Sequence, residues 1–147
     1  MGDIGWIVIA LLGGSMIPLQ GALNSRLGSV ISSILHASMI SLAVGTVATA
    51  AFVLATRQTA SWASAGNAPW YAWFGGLCGA FCLTAINFSF PKLGPGLTFG
   101  LIIAGQLIFS VLLEHFNVLV AEPHPLSLLR LTGVVLVLSG VVLIRAF

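Results

Sequence analysis

The 147-residue chain is 59% apolar and 5% charged, with a formal net charge of +2, where a soluble domain carries about 25% charged residues. That balance excludes a water-solvated fold, whose surface needs charge to stay dispersed, and it offers no basic cluster for nucleic acid or for a polybasic lipid-binding surface. At roughly 20 residues per crossing, the length fits about five membrane helices as one transmembrane domain over 1–147, with nothing left for an extramembrane domain.

The first crossing is expected over 4–23. Its start carries Asp3 in place of the basic leader of a signal peptide, so it reads as a retained helix, with Trp6 where an interfacial ring sits. Pro18 cannot donate to the Gly14 carbonyl, which predicts a kink. Beyond it come Gln20 and Asn24, one turn apart, and then a short link at 24–29 that carries Arg26 to the membrane surface. The second crossing, over 30–56, is uncharged until Arg57 closes it, and His36 is its only titratable residue. Residues 57–69 mix polar and small side chains and read as a surface loop, with Trp62 resting at the headgroups.

The third crossing, 70–90, opens on the aromatic belt Trp70, Tyr71 and Trp73 and carries Thr84 and Asn87 toward its far end. Its Gly75-xxx-Gly79 pair allows close backbone approach. Cys78 and Cys82, four apart in an apolar run, read as small packing residues. The turn Pro91-Lys-Leu-Gly-Pro-Gly96 is expected to break this helix, with Pro95 at the first position of the next. The fourth crossing, 96–116, bears the most informative pattern in the chain. Gln106, Ser110 and Glu114 recur every fourth residue, so a helix puts an amide, a hydroxyl and a carboxylate on nearly one face. A loop at 117–127 holds Glu122 and His124. The fifth crossing, 126–146, has Arg130 in its first turn, snorkelling to the interface.

Polar groups inside hydrocarbon are expensive and normally face a partner or a cavity. With alternating helix directions and ~1.5 Å per residue, Gln20 lies ~5 Å, His36 ~9 Å, Thr84 ~9 Å, Asn87 ~5 Å and Gln106 ~15 Å inside from the Arg26 face. Gln20, Asn24, His36, Asn87 and Gln106 are therefore the candidate substrate contacts. Glu114 and His36 are the candidates for proton or ion coupling, since an intramembrane carboxylate marks a site and an imidazole changes charge near neutrality. Each also has a structural reading as a group that glues helices together. No zinc-binding His-Glu-x-x-His, nucleophile elbow or phosphate loop occurs, so neither an enzyme nor a metal or other cofactor is expected.

Basic residues number three on one side (Arg26, Lys92, Arg145) and two on the other (Arg57, Arg130), so the positive-inside rule barely selects an orientation. Five helices are few to enclose a solute path, and many transporters pair two halves of opposite topology. Dual insertion and an antiparallel homodimer of ten helices follow as the expected assembly.

Pro18-Leu-Gln-Gly-Ala-Leu-Asn-Ser-Arg-Leu-Gly28, Gly45-Thr46, Pro69-Trp-Tyr-Ala-Trp-Phe-Gly-Gly76, Pro91-Lys-Leu-Gly94, Gly105-Gln106 and Glu114-His-Phe116 resemble, in this order, the YdcZ-like family of the drug/metabolite transporter superfamily. The resemblance implies an all-α membrane protein of the bacterial inner membrane, a five-helix half of the EamA-like ten-helix inverted-repeat fold, and no particular substrate. The family often has Asp where Glu114 stands, which keeps the charge, and Gly where Asn117 stands, a residue that also tolerates a left-handed helix cap. The essential first-helix Glu of the more distant small multidrug exporters has no counterpart here. The expected function is a secondary carrier of a small organic metabolite or drug. Its rivals are a non-transporting membrane subunit whose polar residues only join helices, and one half of a heterodimer with a homologous partner.

Overall fold

A computed structural model describes residues 3–119 and 125–146. The expected loop residues Glu122 and His124 lie outside the described residues. The chain runs α1 (Asp3–Val30), α2 (Ile34–Ala55), a one-turn α3 (Trp62–Ala65), a 3-10 turn (Trp70–Phe74), α4 (Gly75–Leu93), α5 (Pro95–His115) and α6 (Leu128–Ala146). There is no strand among the described residues, and five helical spans are long and apolar enough to cross a membrane. This is an all-α membrane protein.

Its side chains follow from lipid as the solvent. Leu54, Leu128 and Leu129 are about four-fifths exposed, which hydrocarbon tolerates and water does not. Among the described residues the buried side chains are six apolar ones against four polar ones, Asn24, Ser38, Asn87 and Thr98. So large a polar share inside, with leucine outside, fits helices that gain little from hiding apolar surface and join through hydrogen bonds and close packing instead.

The helix ends are set by local chemistry and correct several expected boundaries. α1 does not stop at 23; residues 24–29, expected as a link, continue the helix to Val30. In hydrocarbon every backbone group must be paired within the segment, so a helix without a breaker runs on until it reaches the surface. It ends at Ser32, whose φ of 55° is left-handed, with the Ser33 N–H returned to the Gly28 carbonyl at 2.9 Å. This is the closure that glycine usually provides. α2 starts at Ile34 rather than 30 because Ser33 caps it, its hydroxyl accepting from the His36 N–H.

Arg57 (φ 52°) and Asn117 (φ 52°) repeat the left-handed closure at the ends of α2 and α5, with Gln58 N–H to the Val53 carbonyl and Val118 N–H to the Leu113 carbonyl. Asn117 thus takes the conformation its chemistry allowed. Pro91, expected to break the third span, lies inside α4, which runs to Leu93. The break falls at Gly94, whose φ of 76° suits glycine, and Pro95 opens α5 at a position where its missing N–H costs nothing. The hydroxyls of Thr46, Thr49, Thr132 and Ser139 bond back to the carbonyl four residues earlier, which lets them sit in apolar helices without an orphaned donor.

The chain divides into two compact units, 1–91 and 92–147. In the first, α1 and α2 pack side by side. Gly28 permits this, since a Cβ there would stand 3.3 Å from Ile34 Cα and 3.6 Å from Ala37 Cβ. In the second, α5 and α6 pack antiparallel: a Cβ on Gly96 would meet Ile144 at 3.3 Å and one on Gly100 would meet Val141 at 3.0 Å.

Candidate functional site

The longer α1 and later α2 change the depths of the polar side chains. Gln20 lies ten residues before the end of α1, ~15 Å along the helix instead of ~5 Å. Asn24 lies ~9 Å from that end. Asn87 is six residues before the end of α4, ~9 Å instead of ~5 Å. His36, expected ~9 Å inside, sits in the first turn of α2, ~3 Å from its start.

In the first unit the three amides converge on two serines of α2. Gln20 Nε2 and Asn24 Nδ2, one turn apart on α1, both donate to Ser41 Oγ, at 3.3 and 3.2 Å. Asn87 Nδ2 of α4 donates to Ser38 Oγ at 2.8 Å, and Ser38 Oγ donates in turn to the Ile34 carbonyl at 3.0 Å. Ser38 and Ser41 are three apart, hence on one face of α2. Neither serine was among the residues singled out from the sequence. The available signal was their spacing within an apolar run and their match to the Gln20/Asn24 pair one helix earlier.

Asn87 is fully buried and its Oδ1 has no hydrogen-bond partner among the described residues. A buried acceptor left unpaired costs about 1–3 kcal/mol, so this oxygen is a place where a ligand or water gains what the protein lacks. Pro91, four residues on, also cannot donate to the Asn87 backbone carbonyl.

Beside the Gln20–Ser41 contact a groove of about 760 Å³ runs along α2, lined by Gln20, Ser41, Gly45, Thr46 and Thr49 and then by apolar Val53 and Leu54. No lining residue is charged. Gln20 uses its amide nitrogen on Ser41, which leaves its carbonyl oxygen to accept from a guest. The groove therefore has one hydrogen-bonding end and one oily end.

The other expected site residues lie elsewhere. The His36 ring meets the Ser33 hydroxyl through Nδ1 at 2.7 Å, completing the cap of α2, and it does not line the groove. Thr84 is half-buried on α4. Gln106 belongs to the second unit, exposed midway along α5. Ser110 is exposed one turn further on, and Glu114, at the end of that stripe, accepts from Arg130 of α6 in an ion pair. Arg130, expected to snorkel to the interface, is also tied to α5 by this pair. Next to Glu114, His115 Nδ1 accepts from the Leu126 N–H at 3.4 Å. Both Cys78 and Cys82 are free thiols. No group of three or more His, Cys, Asp or Glu side chains suited to a metal occurs among the described residues.

A model of the family described as "Putative inner membrane exporter, YdcZ" matches residues 5–143. No curated protein and no solved structure matches the chain.

Proposed function

Since the chain belongs to the family described as "Putative inner membrane exporter, YdcZ" and is a multi-pass protein with five helices long and apolar enough to span a membrane, we propose that it is a secondary carrier for a small, uncharged or amphipathic organic metabolite or drug. The observation that carries this reading is the groove along α2, polar at Gln20 and Ser41, apolar at Val53 and Leu54, and free of charge throughout. A guest with a hydrogen-bond donor at one end and a hydrocarbon body fits that gradient. A fixed cation, which would call for a carboxylate, does not.

The groove is open along one side, and a second copy of the chain inserted in the opposite orientation is the proposed wall. Two such copies make ten helices related by a two-fold axis in the membrane plane, the arrangement on which alternating access by rocking rests. The bonds from Gln20 and Asn24 to Ser41, at 3.2 to 3.3 Å, are long for hydrogen bonds and are suited to breaking and reforming as α1 shifts on α2. Glu114, held by Arg130, is proposed as a charge that responds to ion binding only if that pair opens. His36 is proposed as a proton carrier at the membrane edge, reached through the Ser33 hydroxyl.

A second reading has its own support. Asn24, Ser38 and Asn87 use polar atoms between helices, which is also what a subunit that only stabilises a partner, or half of a heterodimer, requires. The test begins with a thermal-shift screen of the purified protein against uncharged and cationic metabolites and drugs, because a ligand of the folded state raises the melting temperature by mass action. The best ligand is then followed across liposomes carrying wild type or Gln20→Ala. The carrier reading expects uptake or efflux that Gln20→Ala abolishes with the fold intact. Flux that is unchanged in Gln20→Ala while complex assembly is lost favours the subunit reading.

A further inference from the structure

A second cavity, of about 410 Å³, lies within the second unit and is lined by Lys92, Leu93, Leu97, Leu101, Val141, Val142 and Arg145. Its two chemistries are segregated. Lys92 stands in the last turn of α4 and Arg145 in the last turn of α6, so both cations come from helix ends, where the membrane surface lies. The remaining lining comes from leucine and valine side chains, with Leu97, Leu101, Val141 and Val142 descending along α5 and α6 away from those ends.

Neither cation has a hydrogen bond or an ion pair among the described residues. No lining residue is acidic, and Glu114 sits at the opposite end of α5 in its pair with Arg130, ~28 Å away along the helix. The groove also exists for a packing reason. Gly96 and Gly100 bring α6 close on one side, while the side chains of Leu97 and Leu101 leave a channel beside that contact.

From this we infer a binding site for an anionic phospholipid of the surrounding membrane, its phosphate held between Lys92 and Arg145 and one acyl chain laid along Leu97, Leu101 and Val142. Charge complementarity selects the headgroup: two unpaired basic groups at the membrane surface attract a phosphodiester and give a zwitterionic lipid no comparable advantage. Depth selects a lipid over a free anion, because the wall beneath the cations is hydrocarbon, which inorganic phosphate leaves empty. The site makes no use of the α2 groove, so it stands or falls independently of the carrier reading.

The experiment uses the purified full-length protein in detergent, titrated separately with phosphatidylglycerol, phosphatidylcholine and inorganic phosphate, with bound lipid counted by native mass spectrometry and stability followed by melting temperature. The expected result is saturable retention of phosphatidylglycerol and a rise of several degrees, with little effect of the other two. The double variant Lys92→Gln/Arg145→Gln is expected to weaken retention on the order of thirtyfold, the loss due to two basic groups at a membrane surface. Lys92→Arg/Arg145→Lys retains it. Leu101→Trp, which fills the channel and keeps both charges, also lowers retention, and it serves should the double variant fail to fold. Equal retention of phosphatidylcholine, a full effect of inorganic phosphate alone, or unchanged retention in both the Gln and the Trp variants would each overturn the assignment.

Discussion

The two units hold their helices together by opposite means. In the first, α1, α2 and α4 are tied by side-chain amides to serines: Gln20 and Asn24 to Ser41, and Asn87 to Ser38. In the second, α5 and α6 meet through glycines against branched side chains, Gly96 on Ile144 and Gly100 on Val141, and their ion pair stands at one end, from Glu114 to Arg130. Packing of small on branched residues gives a contact with one good fit. Hydrogen bonds between helices in a membrane contribute modestly, about 0.6 kcal/mol on average, because a separated helix also finds partners. A seam of that kind can rearrange at low cost. Under the carrier proposal, the first unit, with its groove along α2 and its hydrogen-bonded seam, is where rearrangement is expected.

Function gives the largest expected break in this contrast. Gln20→Ala removes the one amide that both bridges to Ser41 and lines the groove, and ligand-dependent flux in liposomes should fall at least tenfold while the melting temperature shifts little. Gly100→Leu attacks the second unit instead. The added Cβ meets Val141 at 3.0 Å, and overpacking of this kind costs about 1–3 kcal/mol, read as a lower melting temperature in detergent.

Glu114→Gln removes the ion pair with Arg130. The pair retains 35% and 26% of its side-chain exposure, so the loss should fall below the about 3–5 kcal/mol of a fully buried pair, and the exchange Glu114→Arg/Arg130→Glu should recover part of it. Asn87→Leu is expected to be close to neutral for stability, within about 1 kcal/mol, because it deletes a bond to Ser38 and an unpaired buried oxygen together. A large loss there would show the first unit to be as rigid as the second. The smallest effect sharpens the fold alone: Ser32→Gly relieves a left-handed serine at φ 55° and should raise stability by about 0.5–1 kcal/mol.

Some of this was legible in the sequence. Hydropathy and run length announced the five crossings, and Pro95 and Asn117 announced where one helix starts and another closes. The Gln20/Asn24 pair and Asn87 were recognisable as polar groups in need of partners. What misled was reading 24–29 as a link because Arg26 should reach the membrane surface; the helix continues through it to Val30, and Gln20 moves from the edge to mid-depth. His36 drew attention as a titratable group in an apolar span. The serine three residues before it was the better signal, since Ser33-x-x-His36 is the spacing of a helix cap. Gln106 and Glu114 share a helix face by spacing, yet Glu114 is tied to Arg130 while the amides of the first unit gather on α2.

The sequence by itself determined the solvent of this protein, the count of its crossings and the identity of its polar residues, because those follow from sums over local composition. Only the tertiary structure decided that Ser41 receives two amides, that Ser38 receives a third, and that Lys92 and Arg145 face one channel. A hydrogen bond between helices depends on the rotation and register of each against its neighbour. A shift of a few residues in where a helix ends, invisible to composition, resets both.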